Sequence, residues 1–496
     1  MEQAKLQHEA RLALVKLAIQ SPEAAKAYKL KSRKSYEEIL GEMPPKTPLN
    51  AKITGEIDCG DYRIEKVSYE SRPNHHVTAN LYIPAIRTAP MPGILVTCGH
   101  SMTAKARDTY QKVSILLAKN GFVVLIVDPI GQGERLQFAY SDTQDHLDNT
   151  TIRHTQLDIG AMLVGEDVVK YQLWDNIQGI DYLCSRPEVD PDKIGVTGHS
   201  GGGTQTMFLA AYDPRVAAAV SSCGLSERYG HFSKLGPADG CYHLPAEGLR
   251  NLDNADYLIM ALDMPWLLLA AERDQYQNIN DVSFTFRQSK WFYKLMSSID
   301  RLDMFTVDLV HAFPSQLREA ATWWFKRWLL NDNQPVIEPG LKIQQEKDLL
   351  VTETGQVLTA FRNEKSIIEL NVDKANSFAK ERAAYQKNLN GSDYLKMIKD
   401  ASGYREQNEP LRVQEKGFID KKDYRVKKLV IQRQNNLPLP ALLCEPLQVK
   451  YPAEVTIVIN SRGKNEEFGE NGVITSLLKE GQMVLAVDLR GFGETK

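Results

Sequence analysis

A glycine-rich turn between a strand-like and a helix-like segment constrains this chain most. Residues 193–206, KIGVTGHSGGGTQT, begin with the apolar pattern typical of the end of a buried strand. The glycines from Gly198 onward predict a turn too tight for residues that carry a Cβ. A helix is predicted over about 201–212, ended by Pro214. The pattern therefore places Ser200 on a sharp strand-to-helix turn.

The turn matches a known catalytic pattern. Residues 198–202, GHSGG, fit G-x-S-x-G, the nucleophile elbow in which a strained turn projects a serine hydroxyl from a sheet. The bare pattern arises by chance about 0.2 times in a chain of this length, so the flanking strand and helix make it informative. We predict that Ser200 is a catalytic nucleophile. The backbone N–H of Gly201, at the start of the helix, is the predicted first donor to an oxyanion.

Alternating strand and helix patterns predict an α/β fold with a mostly parallel sheet and helices on both faces. Two helices over 1–42 and a β-hairpin over 61–84 come first. Strands are then predicted over 92–98, 123–128, 216–222, 266–271 and 304–308, and helices over 109–120, 169–184 and 315–330. Residues 135–165, which include His146, form a polar insertion that is predicted to be irregular.

Two further residues of catalytic types follow predicted strands. Asp274 comes after the strand that ends at 271, and His311 lies just beyond the strand 304–308. Because the carboxyl ends of the strands form the ligand-binding edge of an open α/β sheet, both are expected near Ser200. His311 is the predicted base and Asp274 its orienting partner, with Glu272 as the alternative carboxylate. The chain order Ser, Asp, His is the order of the α/β-hydrolase fold.

The remaining site predictions concern backbone donors and substrate contacts. The turn that leaves the first strand of the parallel sheet predicts a second oxyanion donor, the N–H of His100, with that of Ser101 as the alternative. Arg153 and His154 are predicted to bind substrate. The alternative is that they lie in a solvated loop and have no role in binding. The sequence contains neither H-E-x-x-H nor an acidic calcium loop, so no metal site and no cofactor are predicted.

Composition narrows the classes of function. The chain has 496 residues, 43% hydrophobic and 25% charged, which is enough for two or three globular domains. A net charge of -3 gives no positive potential that would attract nucleic acid. The sequence has no run of about 18 apolar residues, so no membrane span is predicted. Six scattered cysteines indicate neither a disulfide framework nor a C-x-x-C zinc site.

Compartment and oligomeric state stay open at this stage. The first 20 residues form an amphipathic helical pattern without the apolar core of a signal peptide. Both a cytoplasmic location and export with removal of a signal are consistent with this pattern.

Several segments together resemble one branch of the α/β-hydrolases. The run TTIRHTQLDIGAMLVGEDVVKYQLWDNIQGIDYLCSRPEVDPDKIGVTGHSGGGTQT, then PWLLLAAERDQ and VHAFPSQLREAATWWFKRWL, is similar to acetylxylan-esterase-like enzymes, whose relatives include cephalosporin-C deacetylases and glucuronoyl esterases. The resemblance covers about 61–331 and aligns Ser200, Asp274 and His311 with the triad of that family.

The resemblance implies a serine carboxylesterase that removes acyl groups, with acetyl favoured, from a plant polysaccharide or oligosaccharide. Its partner would be an acylated carbohydrate. Three alternatives stay open: a uronic-acid methyl esterase, a serine peptidase of the prolyl-oligopeptidase type, and a non-catalytic carbohydrate-binding protein.

The chain also repeats itself. DYRIEKVSYESRPNHHVTANLYIP at 61 reappears in outline as DYRVKKLVIQRQNNLPLPALLCEP at 423, and GFVVLIVDPIGQGE at 121 as GQMVLAVDLRGFGE at 481. This offset of about 360 residues predicts an internal duplication. The predicted domains are a hydrolase with a helical brace over 1–336, a linker and helical prelude over 337–420, and the truncated start of a second copy over 421–496. We expect the sequence to be a fragment of a longer tandem hydrolase, and the activity of the second copy stays open.

Overall fold

The computed structural model describes residues 1–86, 90–138, 150–236, 239–404, 406, 408–433, 437–469 and 471–496. The chain forms two compact units, Met1–Arg382 and Ala383–Lys496. His146, in the predicted polar insertion, lies outside the described residues.

The first unit contains a nine-stranded sheet. Its strands are β1 (Lys52–Asp58), β2 (Tyr62–Arg72), β3 (His75–Pro84), β4 (Met91–Thr97), β5 (Val123–Val127), β6 (Val189–His199), β7 (Val216–Ser222), β8 (Trp266–Ala271) and β9 (Leu302–Val307). The strand order is β1-β2-β3-β5-β4-β6-β7-β8-β9. The pairs from β1 to β5 are antiparallel, and those from β5 to β9 are parallel. The predicted strands and their parallel arrangement are therefore present.

Helices cover both faces of this sheet, as the near-continuous apolar strands require. The helices of this unit are α1 (Glu2–Ala18), α2 (Pro22–Leu40), α3 (Asp108–Lys119), α4 (Thr150–Met162), α5 (Val168–Ser185), α6 (Gly201–Tyr212), α7 (Arg228–Leu235), α8 (Asn254–Met260), α9 (Ile279–Leu295), α10 (Ser315–Leu329), α11 (Val357–Ala360) and the greater part of α12 (Ile367–Lys387). One apolar core lies under α5, α6, α8 and α9, and a second lies under α3 and α10. None of the helices in the described ranges has both the length and the apolarity needed to cross a membrane.

The two N-terminal helices brace one face of the sheet. Buried Arg11 of α1 donates to Asp256 of α8 at 2.6 Å, and Tyr36 of α2 donates to the carbonyl of Phe208 at 3.0 Å. These long-range bonds tie the first 40 residues to the helices behind the elbow.

Two segments differ from the sequence-based expectation. Residues 150–162 of the predicted irregular insertion form the helix α4. The first unit also continues past 336, where a linker was predicted, to Arg382. Buried Glu134 accepts the backbone N–H groups of Val351 and Thr352 at 2.8 and 2.7 Å, and these bonds fix the later segment to the unit.

The second unit holds a five-stranded sheet. It contains α13 (Gly391–Ala401), β10 (Arg412–Asp420), β11 (Tyr424–Gln432), β12 (Leu439–Pro446), β13 (Val455–Val458), α14 (Val473–Lys479) and β14 (Met483–Val487). The strand order β10-β11-β12-β14-β13 is the order of β1-β2-β3-β5-β4. The pairs from β10 to β14 are antiparallel, and β13 and β14 are parallel, as in the first unit.

Candidate active site

Ser200 lies on a strained turn between β6 and α6. Its backbone φ of 60° and ψ of -127° are unusual for a residue with a side chain, and such conformations cluster at functional sites. The Ser200 N–H donates to the carbonyl of Ser222 on β7 at 2.8 Å, which holds the turn in place. A Cβ at Gly202 would lie 2.1 Å from the carbonyl oxygen of Thr97, and one at Gly198 would lie 2.3 Å from the Thr97 hydroxyl. The turn thus needs glycine on both sides of the serine because it packs directly against the end of β4.

Asp274 and His311 meet at the carboxyl ends of β8 and β9. The Asp274 Oδ2 lies 2.7 Å from the Nδ1 of His311, and the two side chains are 1% and 12% exposed. The other carboxylate oxygen of Asp274 accepts the backbone N–H groups of Tyr276 and Gln277 at 2.8 and 3.0 Å. An acceptor at Nδ1 keeps the proton on that nitrogen, so the Nε2 of His311 is left as the basic atom.

The alternative carboxylate is engaged elsewhere. Glu272 accepts the hydroxyl of Thr306 at 2.7 Å, and this pair is exposed. Of the two carboxylates considered from the sequence, Asp274 is the one that contacts His311.

The loop that carries His311 packs against the nucleophile elbow. The ring of His199 lies 4.8 Å from that of His311, centroid to centroid, and stacks on Phe313 at 5.3 Å. Burial lowers the pKa of His199 well below its usual value, and the charges of His311 and Arg107 lower it further, so His199 is neutral at neutral pH. The hydroxyl of Ser200 makes no hydrogen bond to the described residues, and contacts of this kind often form only when substrate is bound. The elbow and the Asp274–His311 pair therefore share one edge of the sheet.

The turn after β4 lies beside the serine. A Cβ at Gly99 would lie 3.0 Å from the Cβ of Ser200, and one at Gly201 would lie 3.2 Å from the Cε1 of His100. Within the described residues, the backbone N–H groups of Gly201 and His100 donate to no protein acceptor. The turn that contains His100 therefore lies next to Ser200, and the roles of the Gly201 and His100 N–H groups stay predictions.

A tyrosine that the sequence analysis did not single out fixes this turn. The hydroxyl of Tyr110 accepts the N–H of Gly99 at 2.5 Å and donates to the carbonyl of His199 at 3.3 Å. Gln132 also donates to the carbonyl of Gly99 at 2.9 Å. Tyr110 therefore links the turn after β4 directly to the elbow, and no local motif marks a tyrosine for that task.

The predicted substrate-binding residues are both buried. His154 has one ring nitrogen 2.7 Å from the carbonyl of Ile130 and the other 3.1 Å from the Nε2 of His100. Both nitrogens face protein atoms, so His154 is placed to support His100, and its direct contact with substrate stays a prediction. Arg153 contacts the sulfur of Met102 through its guanidinium at 3.3 Å, and its role toward substrate stays a prediction.

His100 and His154 belong to a cluster of metal-ligating residue types that the sequence analysis missed. The Sγ of Cys241 lies 3.2 Å from the Nε2 of His100, and Asp239 completes the group. Burial lowers the pKa of His100 and lowers that of His154 to about 4, so both rings are neutral at neutral pH. Burial also raises the pKa of the Cys241 thiol well above its usual value. The members lie far apart in sequence, so no spacing motif could have revealed them.

Comparisons with known proteins agree with this architecture. Residues 77–294 match the model of the dienelactone hydrolase family. The matched range contains most of β3, all of β4 to β8 and the elbow, and the α/β-hydrolase fold predicted from the sequence is confirmed. His311 lies beyond the matched range.

The individual proteins that the chain resembles are distant. The Bacillus subtilis (strain 168) protein described as putative hydrolase YtaP is 24% identical in an alignment 201 residues long, which covers 38% of this chain and 62% of that protein. The chain thus spans about three fifths of the length of this curated relative. The solved structure of Methylesterase BT1017 superposes with a TM-score of 0.60 at 20% identity, covering 77% of this chain and 80% of that one. Acetyl xylan esterase 1 from Thermoanaerobacterium sp. JW/SL YS485 has a TM-score of 0.42 at 18% identity, covering 63% and 97%.

Proposed function

We propose that the first unit is a serine esterase that acts on an esterified carbohydrate. The observation that carries the proposal is the 2.7 Å contact between Asp274 and His311 at the sheet edge where the strained elbow presents Ser200. A hydroxyl is a weak nucleophile unless a base lies within reach, and a base needs a third group to orient it. The dienelactone hydrolase domain is consistent with ester cleavage.

The proposed mechanism has two stages, acylation of Ser200 and hydrolysis of the acyl-enzyme, and the same residues act in both. The Ser200 Oγ attacks the ester carbonyl carbon while the Nε2 of His311 accepts the hydroxyl proton. The N–H groups of Gly201 and His100 stabilise the oxyanion of the tetrahedral intermediate. The alcohol leaves with the proton from His311, and water activated by the same imidazole then hydrolyses the acyl-enzyme. Asp274 stabilises the imidazolium at both stages.

Two substrate classes fit this chemistry. Removal of acetyl groups from a plant polysaccharide or oligosaccharide is the favoured reaction, on the sequence resemblance. Hydrolysis of a uronic-acid methyl ester is the second candidate, because the guanidinium of Arg107 donates to the carbonyl of His100 at 3.3 Å and sets a cation beside the site. A cation there would attract the carboxylates of a partly de-esterified uronic-acid chain.

Covalent labelling tests the nucleophile. A fluorophosphonate probe is expected to modify Ser200, as mapped by peptide mass spectrometry, and Ser200→Ala should abolish labelling and ester hydrolysis. Ser185→Ala, on α5, is the matched control and should keep both. Labelling at another serine, or full activity of Ser200→Ala, would contradict the proposal.

Product analysis separates the substrate classes. Incubation with acetylated xylan and with methyl-esterified pectin, followed by measurement of acetate and methanol, should give one product in excess. Arg107→Gln should lower activity on the pectin selectively if the methyl ester is the substrate. If neither product is released by a protein that is still labelled at Ser200, both substrate classes are rejected, whereas the assignment of Ser200 as the nucleophile is retained.

We also propose that residues 421–496 are a second copy of the first half of the same fold. The shared strand order supports this, and so does an ion cluster around the buried side chain of Lys464. Lys464 contacts Asp488 at 2.6 Å, and its ammonium also contacts Glu494. In the first unit Lys105 contacts Asp128 and Glu134 at 2.5 and 2.6 Å, at an offset of about 360 residues. A duplication predicts that Lys464→Met destabilises the second unit as Lys105→Met destabilises the first.

A further inference from the structure

We propose that His100, His154 and Cys241, with Asp239 next to two of them, form a binding site for a zinc ion beside the nucleophile elbow. Three ligand atoms of the first three residues lie within 4.8 Å of one another. They come from the turn after β4, from α4, and from the loop after α7. The site does not depend on the proposed esterase activity.

The donor atoms lie around the Nε2 of His100 at distances close to those between ligands of one metal ion. The Nε2 of His100 lies 3.1 Å from the Nδ1 of His154, 3.2 Å from the Sγ of Cys241 and 3.6 Å from the Oδ2 of Asp239. The Sγ of Cys241 also lies 3.0 Å from the Oδ1 of Asp239. Donors of a tetrahedral zinc ion, with bonds of about 2.0–2.3 Å, are roughly 3.3–3.7 Å apart. The separations from the Nε2 of His100 are thus close to those that a bound zinc ion requires.

The orientation of His154 is that of a ligand. Its Nε2 lies 2.7 Å from the carbonyl of Ile130, which can only accept a hydrogen bond, so the proton is on Nε2. Nδ1 then carries a lone pair, and it points at His100. Metal-bound histidines usually donate the other ring N–H to a backbone carbonyl in this way, which fixes the tautomer and the ring.

The set of residue types selects the metal. Two imidazoles, one thiolate and one carboxylate are common zinc ligands, and calcium and magnesium prefer oxygen alone. Side-chain exposures of 19% for His100 and 17% for Asp239 give an ion a route from solvent. Binding replaces the thiol proton of Cys241, which passes to solvent, so the uptake of one ion releases one proton from that residue.

Occupation of the site would tie three separate segments together. The ring of His100 lies beside Gly201, so an ion bound by that ring would also hold the turn after β4. Loss of zinc should therefore lower the thermal stability of the first unit, whatever reaction that unit catalyses.

The test is metal binding by the full chain. The protein is stripped with a chelator, reloaded with Zn²⁺, passed through a desalting column and analysed for metal and protein. One zinc per chain is expected. Cys241→Ser and His154→Gln should each weaken binding at least about 100-fold, since even loss of a group that only orients a ligand costs 10–100-fold. The glutamine amide of His154→Gln keeps a donor for the Ile130 carbonyl.

A spectroscopic measurement identifies the ligands. Loading with Co²⁺ should give a thiolate-to-cobalt charge-transfer band that Cys241→Ser lacks. Cys184→Ser, at a half-buried cysteine outside the cluster, is the matched control and should keep both the zinc and the band. Circular dichroism confirms that each variant is folded. Wild-type protein that retains no zinc, or folded Cys241→Ser that retains as much as wild type, would overturn the proposal and leave a hydrogen-bonded cluster of neutral groups.

Discussion

Replacing Asp274 by asparagine tests the proposed catalytic arrangement most directly. One carboxylate oxygen accepts two backbone N–H groups, and the other faces the Nδ1 of His311. In Asp274→Asn the amide oxygen must stay with the two backbone donors, so the NH₂ group faces Nδ1. Nδ1 then accepts, the imidazole proton moves to Nε2, and the base can no longer take the proton of Ser200.

The expected loss is large and specific to kcat. The same change of tautomer in a serine protease triad costs about 10⁴ in kcat, equivalent to about 5 kcal/mol of transition-state stabilisation. Steady-state hydrolysis of 4-nitrophenyl acetate measures this, and KM should change far less because the substrate pocket is untouched. Thermal unfolding of the variant checks that the fold is retained.

The matched control is Glu272→Gln, which changes the neighbouring carboxylate that contacts Thr306. It should keep activity within about threefold, because nothing links Glu272 to His311. If Asp274→Asn stays within tenfold of wild type, the assignment of the base is wrong. If Glu272→Gln loses as much as Asp274→Asn, the contact with His311 does not identify the orienting carboxylate.

Three further changes test how the first unit is held together. Tyr110→Phe removes the acceptor for the N–H of Gly99. It should lower kcat about 10–100-fold while lowering the free energy of unfolding by only about 1 kcal/mol. A change in KM alone would contradict a positioning role. Burial raises the pKa of Asp167 from 3.8 to about 7, so the folded state holds a proton that the unfolded chain loses, and stability falls as pH rises through that window. Asp167→Asn keeps an acceptor for the Lys170 N–H and should be more stable than wild type at pH 8, by at most about 4 kcal/mol, in urea unfolding; equal pH slopes would refute this. Lys105→Met leaves two buried carboxylates unpaired and should cost about 3–5 kcal/mol in the same assay, whereas surface Lys112→Met should cost little.

The local sequence determined the secondary structure of the central sheet and the position of the elbow. The helix predicted over 201–212 has those bounds in the structure, because the glycines, the apolar strand and Pro214 act within a few residues of one another. Asp274 and His311 could be proposed because a parallel sheet brings its strand ends to one edge.

Tertiary structure alone decided the rest of the candidate site. Its contacts join residues that are 37 to 141 positions apart in the sequence: Asp274 with His311, Tyr110 with His199, and His100 with both His154 and Cys241. The choice of Asp274 over Glu272 also depends on the direction in which each side chain leaves its loop. Local propensity and hydrophobic periodicity report only on neighbours along the chain. Distances across the sheet edge are set by how whole helices and loops pack, so only the tertiary structure brings the residues of the candidate site together.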